Sequence, residues 1–176
     1  MIRGQKVKLR HVEERDLDTL IRLLNDVQLR GDFVRTTMTS PHRIRQEYAN
    51  NGMSSEASER LLIVGEEERV IGVIHHFTTV PYSSAREIGF QIFDVQARGK
   101  GYASEAAGLL VNYLFESFAV NRLEIRVHTG NEASEKIAIN LGFRREGTLR
   151  GSMFVRGEYV DTHLYALLRD EWQARS

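Results

Sequence analysis

The chain has 176 residues, of which 41% are hydrophobic and 27% charged, enough apolar sequence for the core of one domain over residues 1–176. Lys plus Arg and Asp plus Glu number 24 each, so the net charge predicts neither a nucleic-acid partner nor a membrane partner. The lack of cysteine excludes disulfides, a thiolate nucleophile and cysteine metal sites, and no signal peptide or apolar run of about 18 residues occurs, so we expect a cytoplasmic protein.

The first half of the chain predicts strands and helices of ordinary length. Alternation over residues 6–10 indicates a strand, and apolar residues at helical spacing over residues 17–24 indicate an amphipathic helix. Pro41 with Ser40 before it suits a helix start, so we predict a second helix to about residue 50 and a flexible loop over residues 51–59. Two apolar runs then predict a hairpin: residues 61–64 and 70–79.

The strongest pattern lies in residues 86–104. Every second residue from Ile88 to Ile92 is apolar, which indicates a strand with one buried face. A turn with two glycines follows, and an apolar pattern of helical period begins just after it. The first turn of a helix has four unpaired N–H groups, and glycines let an anion approach them because they lack a Cβ atom. This stretch therefore predicts a site for a phosphate or pyrophosphate.

Spacing separates the phosphate-binding motifs that share this arrangement. A P-loop requires Ser or Thr after Gly-Lys, but Gly101 follows Lys100. A dinucleotide-binding fingerprint requires Gly or Ala where Ser104 stands, although Glu124 lies at about the distance of a ribose-binding acid. A dinucleotide-dependent oxidoreductase and a plain glycine-rich turn therefore stay open as alternatives.

The second half of the chain predicts a strand, a helix and a long hairpin. Residues 123–128 alternate as a strand does, and residues 132–141 read as a short helix that Gly142 ends. A final hairpin of residues 143–154 and 159–168 turns around Arg156-Gly157. The predicted order is β-α-α-β-β-β-α-β-α-β-β, an α+β domain.

The spacing Gln96-x-x-Gly99-x-Gly101, after a strand and at the start of a helix, resembles the acyl-CoA pyrophosphate loop of the GNAT superfamily of N-acetyltransferases. The segment N-E-A-S…L-G-F over residues 131–143 is similar to a group that contains ribosomal-protein N-terminal acetyltransferases (RimJ/RimL-like) and spermidine N-acetyltransferases. The resemblance covers nearly the whole chain. It implies the GNAT fold, a mixed, mostly antiparallel central sheet of about seven strands flanked by helices.

The resemblance also implies a co-substrate and residues that hold it. The expected co-substrate is acetyl-CoA, with no metal ion. Asn131 resembles a residue that bonds the pantetheine arm, although Asn at this place is also a typical helix N-cap. The residues expected at the pyrophosphate are Gln96, Arg98, Gly99, Lys100, Gly101, Tyr102 and Ala103.

Two residues are candidates for the chemistry of acetyl transfer. An acceptor amine is protonated at neutral pH and must lose a proton before it attacks, and a carboxylate can take that proton. Glu87 lies on the strand beside the expected cofactor and is our candidate base, the alternative being a solvent-facing strand residue. Ser134 is the candidate donor to the leaving sulfur, or else a polar residue in the first turn of a helix. Many relatives carry a Tyr as general acid where this chain has Ala138.

These residues predict an enzyme that transfers an acetyl group from acetyl-CoA to a primary amine in a ternary complex. A non-catalytic acyl-CoA-binding module is the alternative, because of Ala138. The acceptor, a peptide N-terminus, a polyamine or another small amine, depends on the loops over residues 31–59, which carry no recognisable motif. We also expect a homodimer, because five apolar residues lie near the tip of the last hairpin: Met153, Phe154, Val155, Tyr159 and Val160.

Overall fold

The computed structural model describes residues 1–80 and 82–175. In chain order its elements are β1 (Ile2–Arg3), β2 (Lys8–His11), α1 (Leu17–Asn25), α2 (Pro41–Asn51), β3 (Ser58–Val64), β4 (Val70–Thr78), β5 (Arg86–Ile92), α3 (Tyr102–Ser117), β6 (Arg122–His128), α4 (Glu132–Asn140), β7 (Arg144–Val155), β8 (Glu158–Leu168) and α5 (Arg169–Gln173).

The strands form one mixed sheet of eight, in the order β1-β2-β3-β4-β5-β6-β8-β7. Every neighbouring pair is antiparallel except β5 and β6, which are parallel and joined by the crossover helix α3. The predicted α+β class and mostly antiparallel sheet are confirmed. The expected count of about seven strands is one too low, because the two residues of β1 pair with Lys8 and Leu9 at the edge of the sheet.

The sheet opens between β5 and β6. Only two residue pairs join these strands, Arg86 with Leu123 and Glu87 with Glu124. On its other side β5 stays paired with β4 as far as Ile92, and β6 stays paired with β8 along its whole length. Beyond the second pair the facing edges of β5 and β6 therefore separate, and a V-shaped cleft opens in the middle of the sheet.

A separate core covers each face of the sheet. On one face α3 packs against apolar residues of β5 and β6, such as Ile88 and Ile125. On the other face α1 and α2 pack against residues such as Leu62 and Val73. The predicted alternation in β5 is confirmed, since Ile88, Phe90 and Ile92 all belong to the α3 core. The intervening Glu87, Gly89 and Gln91 consequently face the α1 and α2 side.

Several predicted boundaries need small corrections. The loop expected over residues 51–59 is shorter, because α2 includes Asn51 and β3 already begins at Ser58. The short helix α5 was not predicted. The final hairpin is confirmed, with Arg156 and Gly157 both at positive φ in a tight two-residue turn. Within residues 1–80 and 82–175, no helix combines the length and apolarity needed to cross a membrane. The single-domain organisation and cytoplasmic location stay predictions.

Candidate functional site

The cleft between β5 and β6 has a volume of about 510 Å³. Its floor and walls come from β3, β4, β5 and β6, the first turn of α4, the segment that connects α1 to α2, and the last hairpin. Three of the residues singled out from the sequence line it together: Glu87, Asn131 and Ser134.

The turn between β5 and α3 has the geometry of an anion site. Gly99 and Gly101 both adopt left-handed backbone conformations, with φ of 73° and 85°. Gly101 is the N-cap of α3, and its carbonyl oxygen accepts the first helical hydrogen bond, from the N–H of Glu105 at 3.0 Å. The N–H groups from Gly101 to Ser104 therefore cannot pair within the helix, and the helix dipole makes this end positive.

Gln96 and Arg98 have other partners in this turn. The N–H of Gln96 donates to Asp94 Oδ1 at 2.9 Å, and the N–H of Arg98 donates to the Val95 carbonyl at 3.2 Å. The guanidinium of Arg98 donates to the carbonyl oxygens of Ile92 and Leu29, so it ties the turn to the α1–α2 connection. Phosphate binding by Gln96 or Arg98 stays a prediction without support from their observed contacts.

Lys6 is a neighbour of this turn that the sequence did not reveal. Its Nζ donates to the carbonyl oxygen of Lys100 at 3.2 Å. A Cβ atom built on Gly101 would lie 3.3 Å from the same Nζ. The backbone N–H of Lys6 also donates to Glu105 Oε1 at 2.8 Å, which fixes this residue at the start of α3. An ammonium group therefore stands beside the free N–H groups, as an anion site requires.

Glu87 lies where β5 and β6 begin to separate, in the last residue pair that joins them. Its side chain is only 16% exposed and its Oε2 lies 3.2 Å from Nε of Arg126. Burial raises the pKa of Glu87 above its usual value, Arg126 opposes this shift, and the nearby Glu124 adds to it. A carboxylate with a raised pKa at the vertex of a cleft is suited to accept a proton. The alternative, that Glu87 is an ordinary solvent-facing strand residue, does not fit the burial of its side chain.

Asn131 and Ser134 are linked at the start of α4. The side-chain oxygen of Asn131 accepts the N–H of Ser134 at 3.2 Å, so the predicted N-cap is confirmed. A contact of Asn131 with a pantetheine arm stays a prediction. The Ser134 side chain is half-buried at the cleft wall. Ala138, one turn further along, is fully buried in the α3 core and has no contact with the cleft.

Two histidines that the sequence did not single out as candidate site residues line the cleft. The ring of His75 lies over Gly89, where a Cβ atom would come within 2.5 Å of its Nε2. Burial, and next the charge of Arg60, lower the pKa of His75 to about 4, so its ring is neutral at pH 7. His128 is 8% exposed and burial lowers its pKa as well. Its Nε2 is buried and has no hydrogen-bond partner among the described residues, although the residue itself lines the cleft.

No group of three or more His, Asp or Glu side chains in the described ranges is arranged to hold a metal ion. The expectation of metal-independent chemistry stays a prediction.

Comparisons with known proteins agree on one family. A family model described as "Acetyltransferase (GNAT) domain" matches residues 6–144. A Bacillus licheniformis protein named "Uncharacterized N-acetyltransferase p20" is 30% identical over 172 residues, 96% of each chain. The crystal structure of Vibrio cholerae spermidine N-acetyltransferase with CoA and spermine covers 97% of this chain and 99% of its own, with 20% identity and a TM-score of 0.83. A ribosomal L7/L12 alpha-N-protein acetyltransferase with CoA covers 96% and 97%, with 22% identity and a TM-score of 0.82.

Gly101→Ala tests the anion site. The new Cβ would enter the space in front of the free N–H groups, so we expect acetyl-CoA to raise the melting temperature of the wild type but hardly that of the variant. Gly52→Ala is the matched control, because Gly52 also has a positive φ of 63° and no atom within 4 Å of a built Cβ. Both variants should lose about 1 kcal/mol of stability without ligand. A full acetyl-CoA shift in Gly101→Ala would contradict the assignment.

Proposed function

We propose that this chain, which belongs to the GNAT family of acetyltransferases, transfers the acetyl group of acetyl-CoA to a primary amine by direct attack. The observation that carries the proposal is the position of Glu87, a buried carboxylate at the vertex of the cleft between β5 and β6. The positive end of α3 comes after β5 in the chain. The phosphates of acetyl-CoA and the amine of the acceptor would therefore bind at different positions.

Acetyl-CoA would be held at both of its ends. Its pyrophosphate would accept hydrogen bonds from the N–H groups of Gly101 to Ser104, with Lys6 beside them. Its extended arm would lie between β5 and β6, where strand edges without a partner strand offer N–H and C=O groups to the arm's amides. The thioester would then reach the part of the cleft that Glu87, Asn131 and Ser134 line.

The reaction needs one proton removed before attack and one supplied afterwards. Glu87 takes a proton from the ammonium group of the acceptor, directly or through a water molecule. The neutral nitrogen attacks the carbonyl carbon of the thioester, and the C–N bond forms. The C–S bond then breaks and the nitrogen loses its second proton. The CoA thiolate takes up a proton, so the products are an amide, free CoA and one net proton.

In this proposal Ser134 helps the sulfur to leave. Its N–H is engaged by Asn131, which fixes the first turn of α4, while its hydroxyl belongs to a side chain at the cleft wall. A serine hydroxyl is too weak an acid to give up its proton fully, so the proposed role is a hydrogen bond to the departing sulfur. Ala138 offers no hydroxyl for this purpose, so Ser134 stands in for the tyrosine that many relatives carry. A non-catalytic acyl-CoA-binding module would bind the cofactor equally well but would release no CoA.

We further propose that the active form is a homodimer joined through the tip of the β7–β8 hairpin. Phe154 and Tyr159 are 53% and 76% exposed there and contact each other edge to face, at 5.1 Å between ring centroids. Val155 is buried within the chain and takes no part. Two exposed aromatic rings on a protruding hairpin suit an apolar contact with a second copy.

Sedimentation tests this assembly. At micromolar concentration we expect a dimer mass for the wild type and a monomer mass for the double variant Phe154→Ser, Tyr159→Ser. A wild type that is strictly monomeric under these conditions would contradict the proposal.

Glu87→Gln tests the catalytic role. Glutamine keeps the size of the side chain but cannot accept a proton, so we expect kcat to fall by about 10²–10⁴-fold at neutral pH. Because burial raises the pKa of Glu87, the wild-type rate should fall as the pH drops through that raised value, and the variant should lack this inflection. Raising the pH should recover part of its rate, since more acceptor is then neutral.

Glu116→Gln is the matched control, because Glu116 is exposed on α3 and does not line the cleft. It should keep its rate, and both variants should bind acetyl-CoA as the wild type does. A loss of less than about threefold in Glu87→Gln, with an unchanged pH profile, would remove Glu87 from the mechanism.

A further inference from the structure

The charges around the cleft are strongly unequal. Among the described residues that line it, Glu87 is the one carboxylate, and it already has a partner in Arg126. Three further arginines line the same space: Arg30, Arg35 and Arg60. Once the pair of Glu87 and Arg126 is set aside, the remaining charged side chains among the described lining residues are all arginines, of which Arg60 has an acidic partner, Glu47, outside the lining.

Little acidic charge offsets these three arginines. Arg30 is 8% exposed, and its guanidinium donates to the backbone carbonyl oxygens of Leu24, Arg35 and Thr37 rather than to an acid. Carbonyl oxygens satisfy its donors but do not cancel its charge.

The other two arginines have unused binding capacity. Arg60 uses one guanidinium nitrogen, Nη1, which donates to Glu47 Oε2 and to Met53 Sδ, both at 3.5 Å, while its other N–H groups have no partner among the described residues. The side chain of Arg35 is exposed and has no hydrogen bond or ion pair within residues 1–80 and 82–175. Both guanidinium groups can therefore turn toward a ligand in the cleft.

The positive charges lie on the acceptor side of the cleft, away from the pyrophosphate turn. None of the residues 96–101 is part of the cleft lining. Arg60 pairs with His75 on β4, which in turn pairs with Gly89 on β5, so Arg60 shares the sheet face of Glu87. Arg30 and Arg35 belong to the α1–α2 connection that covers this face. The phosphates of acetyl-CoA therefore do not account for these arginines.

An independent observation points to a polar ligand in the same space. His128 is more than nine-tenths buried at the cleft wall, and its Nε2 has no partner among the described residues. A buried nitrogen without a partner is costly, and a polar ligand that reaches it would remove the cost. The site thus has an unused hydrogen-bonding group as well as unused positive charge.

We propose that the acceptor is a primary amine that carries a carboxylate group, and that polyamines are poor acceptors. The inference rests on the proposed function and specifies its substrate class. A carboxylate gains charge-assisted hydrogen bonds from the unused N–H groups of Arg35 and Arg60, and such bonds are stronger than neutral ones. A polyamine brings several positive charges into a space with one paired acid, and like charges repel there. A free acidic amino acid and the N-terminus of an acidic peptide both present the required chemistry.

Matched acceptors test the inference through kcat/KM for CoA release. The peptides Ala-Glu-Glu-Ala and Ala-Gln-Gln-Ala, both with amidated C-termini, share one amine and differ only in charge. We expect the acidic peptide to react about tenfold faster or more, the effect of one charge-assisted hydrogen bond. Glutamate against glutaminamide, which has the same α-amine and no carboxylate, makes the corresponding comparison for a free amino acid, and whichever pair shows the larger ratio identifies the source of the carboxylate. Spermidine should react more slowly than any acidic acceptor.

Variants of the cleft arginines test whether these residues cause the preference for acidic acceptors. Arg35→Gln and Arg60→Gln should each reduce the ratio of acidic to neutral acceptor toward one. Arg43→Gln is the matched control, because Arg43 is exposed on α2 and does not line the cleft, and it should leave the ratio unchanged. An equal loss of the ratio in Arg43→Gln would show a general charge effect and overturn the inference.

The outcomes separate this inference from the proposed function. Turnover that is faster with spermidine or with the neutral peptide would overturn the inference and leave the acetyltransferase proposal standing. Binding of acetyl-CoA without CoA release from any amine would contradict the proposed function and this inference with it.

Discussion

The cleft exists because the ladder between β5 and β6 ends after two residue pairs. Backbone N–H and C=O groups inside a protein require partners, and a continuous sheet supplies them strand by strand. Between β5 and β6 this backbone pairing ends in the middle of the sheet. The open strand edges and the position of Glu87 at the vertex are both consequences of this one interruption. A ligand with an extended, amide-bearing arm can complete the pairing that the sheet leaves open.

The pairing of β5 with β4 keeps β5 apart from β6 beyond the vertex. β4 and β5 keep seven residue pairs, and two glycines let them approach closely. A Cβ on Gly72 would lie 2.3 Å from the carbonyl oxygen of Gln91, and a Cβ on Gly89 would meet the ring of His75. β5 therefore follows β4 rather than β6.

A buried polar cluster fixes the vertex from the opposite face. Arg86 donates to Nδ1 of His76 at 3.0 Å, so that His76 can donate through Nε2 to Glu59 at 3.3 Å. Because Arg86 precedes Glu87 on β5, the position of the proposed base depends on this cluster as well as on Arg126. Catalysis by positioning needs such rigid support, since small displacements of a base reduce the rate steeply.

Local patterns in the sequence predicted most of the elements and part of the site. Alternation located β5, and the spacing of Gly99 and Gly101 located the glycine turn at the start of α3, because both signals arise from neighbouring residues. The hydrogen bond from the backbone N–H of Gln96 to Asp94 could also have been predicted from the sequence, since Asp two residues earlier is a typical cap of such a turn. The contact of Lys6 with this turn could not be predicted from the sequence, because 94 residues separate Lys6 from its partner Lys100. The unpaired nitrogen of His128 and the excess of arginine in the cleft depend on how distant segments pack, and no local pattern records that.

The position of the pyrophosphate in crystals grown with CoA tests the central claim most directly. The account predicts phosphate oxygens within about 3.2 Å of the N–H groups of Gly101 to Ser104, with the arm between β5 and β6 and the sulfur beside Ser134. A pyrophosphate bound away from the start of α3, or an arm that passes outside the cleft, would contradict it.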